Sequence, residues 1–589
     1  MFLVFASPDP RRVAETWRTA PREGRRLAWH TPWSWALAGP DTPIVTAPDG
    51  GRVGVGHVRL RRAGDRRDGQ AADLAALMTA AATAPSEVIG RDGTFALVTM
   101  DAAARRLHAC RDAFGIRTAY WSADDDGVWI GDDLDDFAPG RRLDRQFAAE
   151  FIARGQGDAR RTVWQGVQQL PPGGVCTWEA GRVTVAQHQP WREACEVPAD
   201  DRAAAARFRA LVVDAVSADL DDGAGTWADL SGGHDSSSVA AVAGWLARHE
   251  GRRFQGGVTI VDSLGHGDES QYADDVARAY ALPALRVVDP WPWRDDQEPP
   301  PATPAPVRDY PHWARDRHVA RELRRRGDGV LLSGVGPDYY LPRSPWYAID
   351  LAGRGRWREA LAAVEDTAIE TRTTVWHTLW RYVVGPLAPA GLQARWFAGG
   401  GLVPGWLTPA FAAETGFARV ALARDLVTAW PGQVNDTLLA VRLSEGASIL
   451  PSWRTLEGLD VRHPLLALPL VRFCLSLPRH LRTSFAAPKP ILRQGLAGIV
   501  PPRVLARRTK GSVLLPRICW AFGRERARLA ALVDRSILAA AGIVDPGRLL
   551  AHADTCAAGA GHDAVPLYHA LSLESWLSAR RDRGAAVSW

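Results

Sequence analysis

The chain has 589 residues, 46% of them apolar and 23% charged; that excludes a disordered polypeptide and is too long for one ordinary core, so two or more domains are expected. The net charge of +5 comes from dispersed arginines, with no basic stripe, which sets nucleic acid aside as the main ligand. Six widely spaced cysteines without a CxxC pair, and the absence of any 18-residue apolar run, argue against a disulfide scaffold, a zinc site and a membrane span; a reduced, soluble, cytoplasmic protein is expected.

Residues 1–195 alternate short apolar runs with turn signals. GRVGVGHVRL (51–60), GTFALVTMD (93–101), RLHACRD (106–112) and GVWIGDD (127–133) read as strands. PPGG (171–174) followed by VCTWEAGRVTVAQ reads as a turn and a hairpin. A shift to polar and then helical composition in EACEVPADDRAAAA places a domain boundary near 195.

From residue 200 onward the pattern changes. TWADL (226–230), GGVTIVD (256–262), LRVVD (285–289) and GVLLSG (329–334) read as strands. Helical VAAVAGWLARH, DESQYADDVARAYAL and HWARDRHVARELRRRG alternate with them, which predicts a parallel α/β sheet. The cluster RELRRRG (321–327) reads as the solvated end of a helix. DPWPWRDDQEPPPATPAP (289–306) is too rich in proline for either element and is expected as a long surface loop. Past 345 the chain reads as mainly helical.

The densest chemical signal is LSGGHDSSS, Leu230 to Ser238, between a strand and a helix. The first amides of a helix lack internal partners and carry partial positive charge. Gly232 and Gly233 permit close backbone approach, and Ser231, Ser236 and Ser237 add hydroxyl donors. The expected product is a pyrophosphate cradle, with Asp235 within reach of a Mg²⁺ on the phosphates. It is not a Walker loop, which reads GxxxxGK(S/T). A Gly/Ser turn that only caps a helix is the plainer alternative.

SGGxDS resembles the pyrophosphate loop of N-type ATP pyrophosphatases, and other segments resemble the asparagine synthetase family. LLSGVGPDYY (331–340) is similar to its SGxGxD segment, which implies Asp338 as a second Mg²⁺ ligand. GDES (267–270) fits the synthetase domain. GLDVRHPLL (458–466) is similar to the family's ExRxP segment, with Asp460 in the acidic position, and KPILRQGLAGIVPPRVLARRTK (489–510) to its KxxLR…P…RxK stretch. RDGTFALVTMD (91–101), RDAFGIRTAYW (111–121) and QLPPGG (169–174) resemble the family's glutamine-hydrolysing domain. The resemblance implies a degenerate glutaminase-type (Ntn-like) αββα domain over 1–195. Over 200–589 it implies an α-hydrolase-like ATP-pyrophosphatase domain, with a parallel sheet and helical additions. It implies ATP and Mg²⁺ as cofactors, Leu230, Ser231, Gly232, Gly233, Asp235, Ser236, Ser237, Ile260 and Gly334 around the nucleotide, and Asp235 and Asp338 on the metal.

The sequence departs from the family in two places. Glutamine-dependent members carry a cysteine directly after the initiator Met, where this chain has Phe2 and no cysteine before Cys110. The N-terminal domain is therefore expected to lack that glutaminase chemistry. The relatives that share this loss are β-lactam synthetases and lasso peptide cyclases. The lactam-forming members pair a Tyr with a Glu, and the corresponding positions here are Val335 and Asp460. The expected function is that of a lasso peptide cyclase, acting on a cleaved precursor peptide alongside a leader peptidase and a leader-recognition protein. Other small-molecule amide formation and a non-catalytic scaffold are the alternatives.

Only two residues, Lys489 and Lys510, are lysine in a chain with 71 Lys and Arg together. An ammonium is a compact, mobile point charge, where a guanidinium is a planar fork. Lys510 is assigned to transition-state stabilisation and Lys489 to the phosphates. Asp460 is read either as a proton acceptor or as a partner of Arg462, and His463 either as an acceptor or as packing. Trp376 and Trp380 lie at i,i+4, with Trp396 and Trp406 following. They are read either as core or as an apolar wall for a folded peptide.

Overall fold

A computed structural model describes residues 1–61, 69–220, 223, 225–262, 269–289, 291–293, 300–341, 346–371, 373–389, 392, 403–422, 458–482, 488–507, 514–560, 563–585 and 587–589. Alternating apolar residues build twelve strands in the N-terminal part. They are β1 (Phe2–Ala6), β2 (Arg26–Thr31), β3 (Ser34–Ala38), β4 (Ile44–Thr46), β5 (Arg52–Leu60), β6 (Gly93–Asp101), β7 (Arg106–Arg111), β8 (Tyr120–Asp124), β9 (Gly127–Gly131), β10 (Gln168–Gln169), β11 (Gly174–Glu179) and β12 (Arg182–Gln187). One six-stranded antiparallel sheet runs β10-β8-β9-β1-β3-β2 and the other β12-β11-β7-β6-β5-β4. Their facing side chains, among them Val4, Ala36, Val98 and Cys176, form one core between the sheets. Helix α1 (Pro10–Thr19) lies against the first sheet, and α2 (Gly69–Thr83) and α3 (Pro85–Ile89) against the second, completing four layers. The expected strands at 51–60, 93–101, 106–112 and 127–133 are β5, β6, β7 and β9.

The RDAFG turn supports this fold from within. The buried Asp112 carboxylate accepts from the amides of Phe114, Ile116, Arg117 and Phe95, and the Arg111 guanidinium donates to the carbonyls of Gly115, Arg117 and Leu170. A charged pair at zero exposure persists because its hydrogen bonds are met.

Helix α4 (Arg145–Arg154) lies between β9 and β10 of the first part, and α5 (Asp201–Asp219), capped by the Asp200 carboxylate on the Ala203 amide, opens the second. Strands β13 (Gly225–Asp229), β14 (Gly256–Asp262), β15 (Ala284–Asp289), β16 (Asp328–Leu332) and β17 (Asp460–Arg462) form a parallel sheet ordered β15-β14-β13-β16-β17. The order reverses at β13, and open α/β sheets bind ligands at the strand ends beside such a reversal. Helices α6 (His234–Glu250), α7 (Ser270–Tyr280) and α8 (Trp313–Arg325) follow β13, β14 and β15. The RELRRRG run is the exposed end of α8, where Glu322 pairs with Arg325 and Arg326.

Two expectations need correction. The proline-rich stretch is not simply a surface loop. In its described part Trp293 is 2% exposed, donates to Ser575 Oγ and packs on Phe522 and Tyr568, because the indole is too apolar to leave in water. Trp376 and Trp380 belong neither to a core nor to the cavity described below: they are 79% and 45% exposed. The helix carrying Trp376 ends at Leu379 and continues as a π turn over Trp380–Val384. Trp406 is core, and Trp396 lies outside the described residues.

The two parts share a charged seam. Asp219, at the end of α5 and 0% exposed, accepts from Arg59 (2.8 Å) and from Arg61 (3.1 and 3.2 Å) of the N-terminal part. Arg61 also pairs with Asp92 and donates to the His463 carbonyl, and Arg462 donates to the Asp219 carbonyl. Burial alone would raise the Asp219 carboxyl, but the two guanidinia hold it well below its ordinary range.

Candidate nucleotide site

A cavity of about 570 Å³ opens at the carboxyl ends of β13 and β16. Leu230, Ser231, Gly233, Asp235 and Ser236 line it from the first strand end, Gly334 and Asp338 from the second, with Ile260 of β14 and Lys489 completing the wall. The first loop is self-braced. Ser236 Oγ lies 2.7 Å from Ser231 Oγ and accepts from the Ser231 amide, while the Gly233 amide donates to Ser231 Oγ. Gly232 has φ +82°, and a Cβ there would meet the Glu269 carbonyl at 2.5 Å. Gly334 is pressed against the same loop, where a Cβ would overlap the Ser236 amide.

Two expected residues sit behind the cavity wall. Gly232 contributes the turn, and the Ser237 hydroxyl is fully buried with no hydrogen-bond partner among the described residues. Lys510 lies outside the described residues. Asp460, expected at the site, is not there. It pairs with Val330, whereas the cavity begins beyond Leu332. Side chains two apart on a strand share a face, so Asp460 accompanies Arg462 toward the charged seam, at 2.7 Å from its Nε and 3.7 Å from Arg117. Burial would raise this carboxyl, yet Arg462, Arg59 and Arg117 hold it below the usual range, which makes it a poor proton acceptor. His463 is also buried away from the cavity, and burial holds its imidazole neutral, down to about 4.

Lys489, expected on the phosphates, lines the cavity and bonds carboxylates here. Its ammonium is 9% exposed and bonds the carboxylates of both Asp235 and Asp338, the latter at 2.6 Å. Burial would lower this amine, but the two carboxylates raise it, so it is a cation. Its backbone holds φ +53°, unusual for a residue with a Cβ. Aspartates from two strand ends thus converge on one positive charge. Mg²⁺ is commonly held by one or two carboxylates together with substrate phosphates. The lysine stands where such an ion fits, and the all-oxygen donor set suits it. Among the described residues no cluster of three or more His, Cys, Asp or Glu could hold a metal on protein ligands alone.

Arg507 lines the same cavity and was missed in the sequence, as were His234 and Tyr339. His234 occupies the open position of SGGxDS. Burial, then Lys489 and Arg493, keep its imidazole neutral, down to about 4.

The Asparagine synthase family model matches residues 207–392 and 451–578, just over half of the chain. The chain belongs to the asparagine synthase family. A Glutamine amidotransferase domain model matches residues 39–191, covering most of the two antiparallel sheets. No curated protein matches the chain. Among solved structures, the glutamine phosphoribosylpyrophosphate amidotransferase from B. subtilis complexed with ADP and GMP is similar at 10% identity, over 57% of this chain and 81% of that one, with a TM-score of 0.22. A structure titled as the allosteric regulatory enzyme of purine biosynthesis is similar at 10% identity, over 57% and 80%, with the same TM-score. Neither likeness is close enough to bear on the arrangement here. The synthase family makes amides at the expense of ATP.

Proposed function

We propose that this member of the family is a lasso peptide cyclase. A side-chain carboxylate of an Asp or Glu in a cleaved precursor peptide attacks the α-phosphorus of ATP. Pyrophosphate leaves and an acyl-adenylate forms. The peptide's N-terminal amine then attacks the acyl carbon, loses its proton and expels AMP, leaving an isopeptide-closed ring.

The observation that carries this reading is a cavity at the two strand ends beside an N-terminal domain whose two sheet cysteines are sealed from solvent. Phe2 stands in the family's nucleophile position and is fully buried in β1. Cys110 and Cys176 are buried between or behind the sheets, and burial pushes both thiols up to about 12, so neither supplies a thiolate. Ammonia from glutamine is then not the nucleophile, and the substrate brings its own amine. An α-amine has a pKa of about 8, so a useful fraction is neutral without a strong base. This agrees with Val335 in place of a tyrosine and with Asp460 turned toward arginines.

Asp235 and Asp338 would hold Mg²⁺, which when bound offsets charge on the departing pyrophosphate. The loop amides and Ser231 orient the phosphates, and Lys489 supplies a second positive charge. Lys510 is assigned from its motif to the α-phosphoryl and acyl oxygens. Closing a threaded ring costs loop entropy, so the peptide is held prefolded. A leader peptidase and a leader-recognition protein are the proposed partners in the cytoplasm.

ATP–pyrophosphate exchange tests this reading. It should depend on the cleaved peptide and vanish when the acceptor Asp or Glu becomes Ala. Exchange driven equally well by small β-amino acids would instead favour a β-lactam synthetase-like enzyme. Lys510→Arg should keep the fold and lose most cyclisation; near-full activity would remove that lysine from the mechanism.

A further inference from the structure

The pyrophosphate loop contains two consecutive glycines, Gly232 and Gly233. That pair permits close approach of phosphate but leaves the peptide plane between them free to turn, because neither residue has a Cβ to restrict it. Something must fix that plane if its N–H is to point at a ligand.

Arg507 does so. Its Nη1 donates to the Gly232 carbonyl at 3.0 Å, its Nη2 pairs with the Glu269 carboxylate, and its guanidinium lies 4.8 Å over the Tyr272 ring. The side chain is 9% exposed. Glu269 and Tyr272 belong to the start of α7, and they pack on Gly232 from the other side. In a trans peptide the C=O and the next N–H point in opposite directions. Holding the Gly232 carbonyl therefore turns the Gly233 N–H away from Arg507, to the side where it meets Ser231 Oγ at the cavity wall. Arg507, just past the short helix Pro502–Leu505, thus holds the loop at the Gly232 carbonyl.

We infer that Arg507 is a positioning residue that locks the Gly232–Gly233 peptide so that the loop presents its amide to the pyrophosphate portion of a nucleotide. This rests on the proposed nucleotide site and adds a residue to it. A guanidinium suits the task because one planar fork reaches the carbonyl and the carboxylate together, which an ammonium does not. The lock acts on phosphates and not on the nucleoside.

The test is calorimetric binding of Mg·ATP, inorganic pyrophosphate and adenosine to the full-length chain. In Arg507→Ala, affinity for ATP and pyrophosphate should fall about tenfold or more, the scale of a hydrogen bond to a charged group. Adenosine affinity should be unchanged, and added guanidinium ion at millimolar concentration should restore part of the loss. Arg507→Lys, which keeps the charge without the fork, should lose ATP affinity to an intermediate degree, and it carries the test if the alanine variant does not fold. Wild-type affinity for ATP in either variant would overturn the role, as would an equal loss of ATP and adenosine. Wild-type protein that binds no Mg·ATP would overturn the nucleotide site itself.

Discussion

Lys489 bonds the carboxylates of both Asp235 and Asp338, the two expected metal ligands. Its ammonium and a divalent ion therefore compete for one place. Lys489→Ala should bind Mn²⁺ more tightly in the absence of nucleotide, by about tenfold or more given the charge removed. Paramagnetic resonance of free Mn²⁺ reads this directly, and equal or weaker binding would count against the arrangement. Gly334 sets a second condition at this scale. A methyl at that position would overlap the Ser236 amide. Gly334→Ala should cost about 1–3 kcal/mol as overpacking and abolish nucleotide binding. Melting curves and nucleotide titration separate those effects, and retained ATP affinity would show that the loop can retreat.

At the scale of elements, LSGGHDSSS and LLSGVGPD stand out in the sequence because each follows a short apolar run, and such runs end at the ligand-binding edge of a parallel sheet. The structure brings those two loops to one cavity. Arg507 was not legible because arginine is everywhere in this chain, and its partners Gly232 and Glu269 are 275 and 238 residues away. Asp460 was misplaced for a different reason: a motif gives residue type, but the register of β17 decides how far along the sheet the side chain stands. Trp376 and Trp380 share a helical spacing, yet periodicity alone does not say what covers the face. Asp460→Asn tests the placement of β17. The carboxylate is half-exposed and already paired, so its loss should cost under about 1 kcal/mol and leave pyrophosphate exchange nearly intact. A large loss of exchange with unchanged stability would return Asp460 to the chemistry.

At the scale of the whole molecule, the seam around Asp219 ties the two parts together. Asp219→Asn leaves Arg59 and Arg61 without their shared buried anion, which should cost about 3–5 kcal/mol, read from denaturant midpoints. The buried histidines make a pH-dependent contribution of definite sign. Burial depresses His57, His108, His234 and His463 to about 4 and His312 to about 3. At these residues the unfolded chain therefore binds more protons than the folded one below about pH 6.5, and their contribution to stability falls as pH drops from there toward 4. Asp132, raised to about 6 chiefly by burial, opposes this between about pH 4 and 6, and so do Asp92, Asp112, Asp133, Asp136, Glu150 and Glu574, whose carboxyls burial also raises. Below about pH 4 the depressed Asp219 adds to the loss as its carboxyl protonates. Imidazole NMR signals of these five histidines that titrate near pH 6.5 in the folded protein would contradict these burials. Ring closure here requires a domain that brings ATP to a peptide carrying its own amine. The most direct measurement is mass spectrometry of the cleaved precursor peptide after incubation with the protein and Mg·ATP, with nucleotides quantified alongside. A cyclase yields a peptide lighter by one water, with its N-terminal amine and one Asp or Glu carboxyl both blocked, and one AMP formed per ring. An unchanged peptide, or ADP in place of AMP, would contradict that reaction.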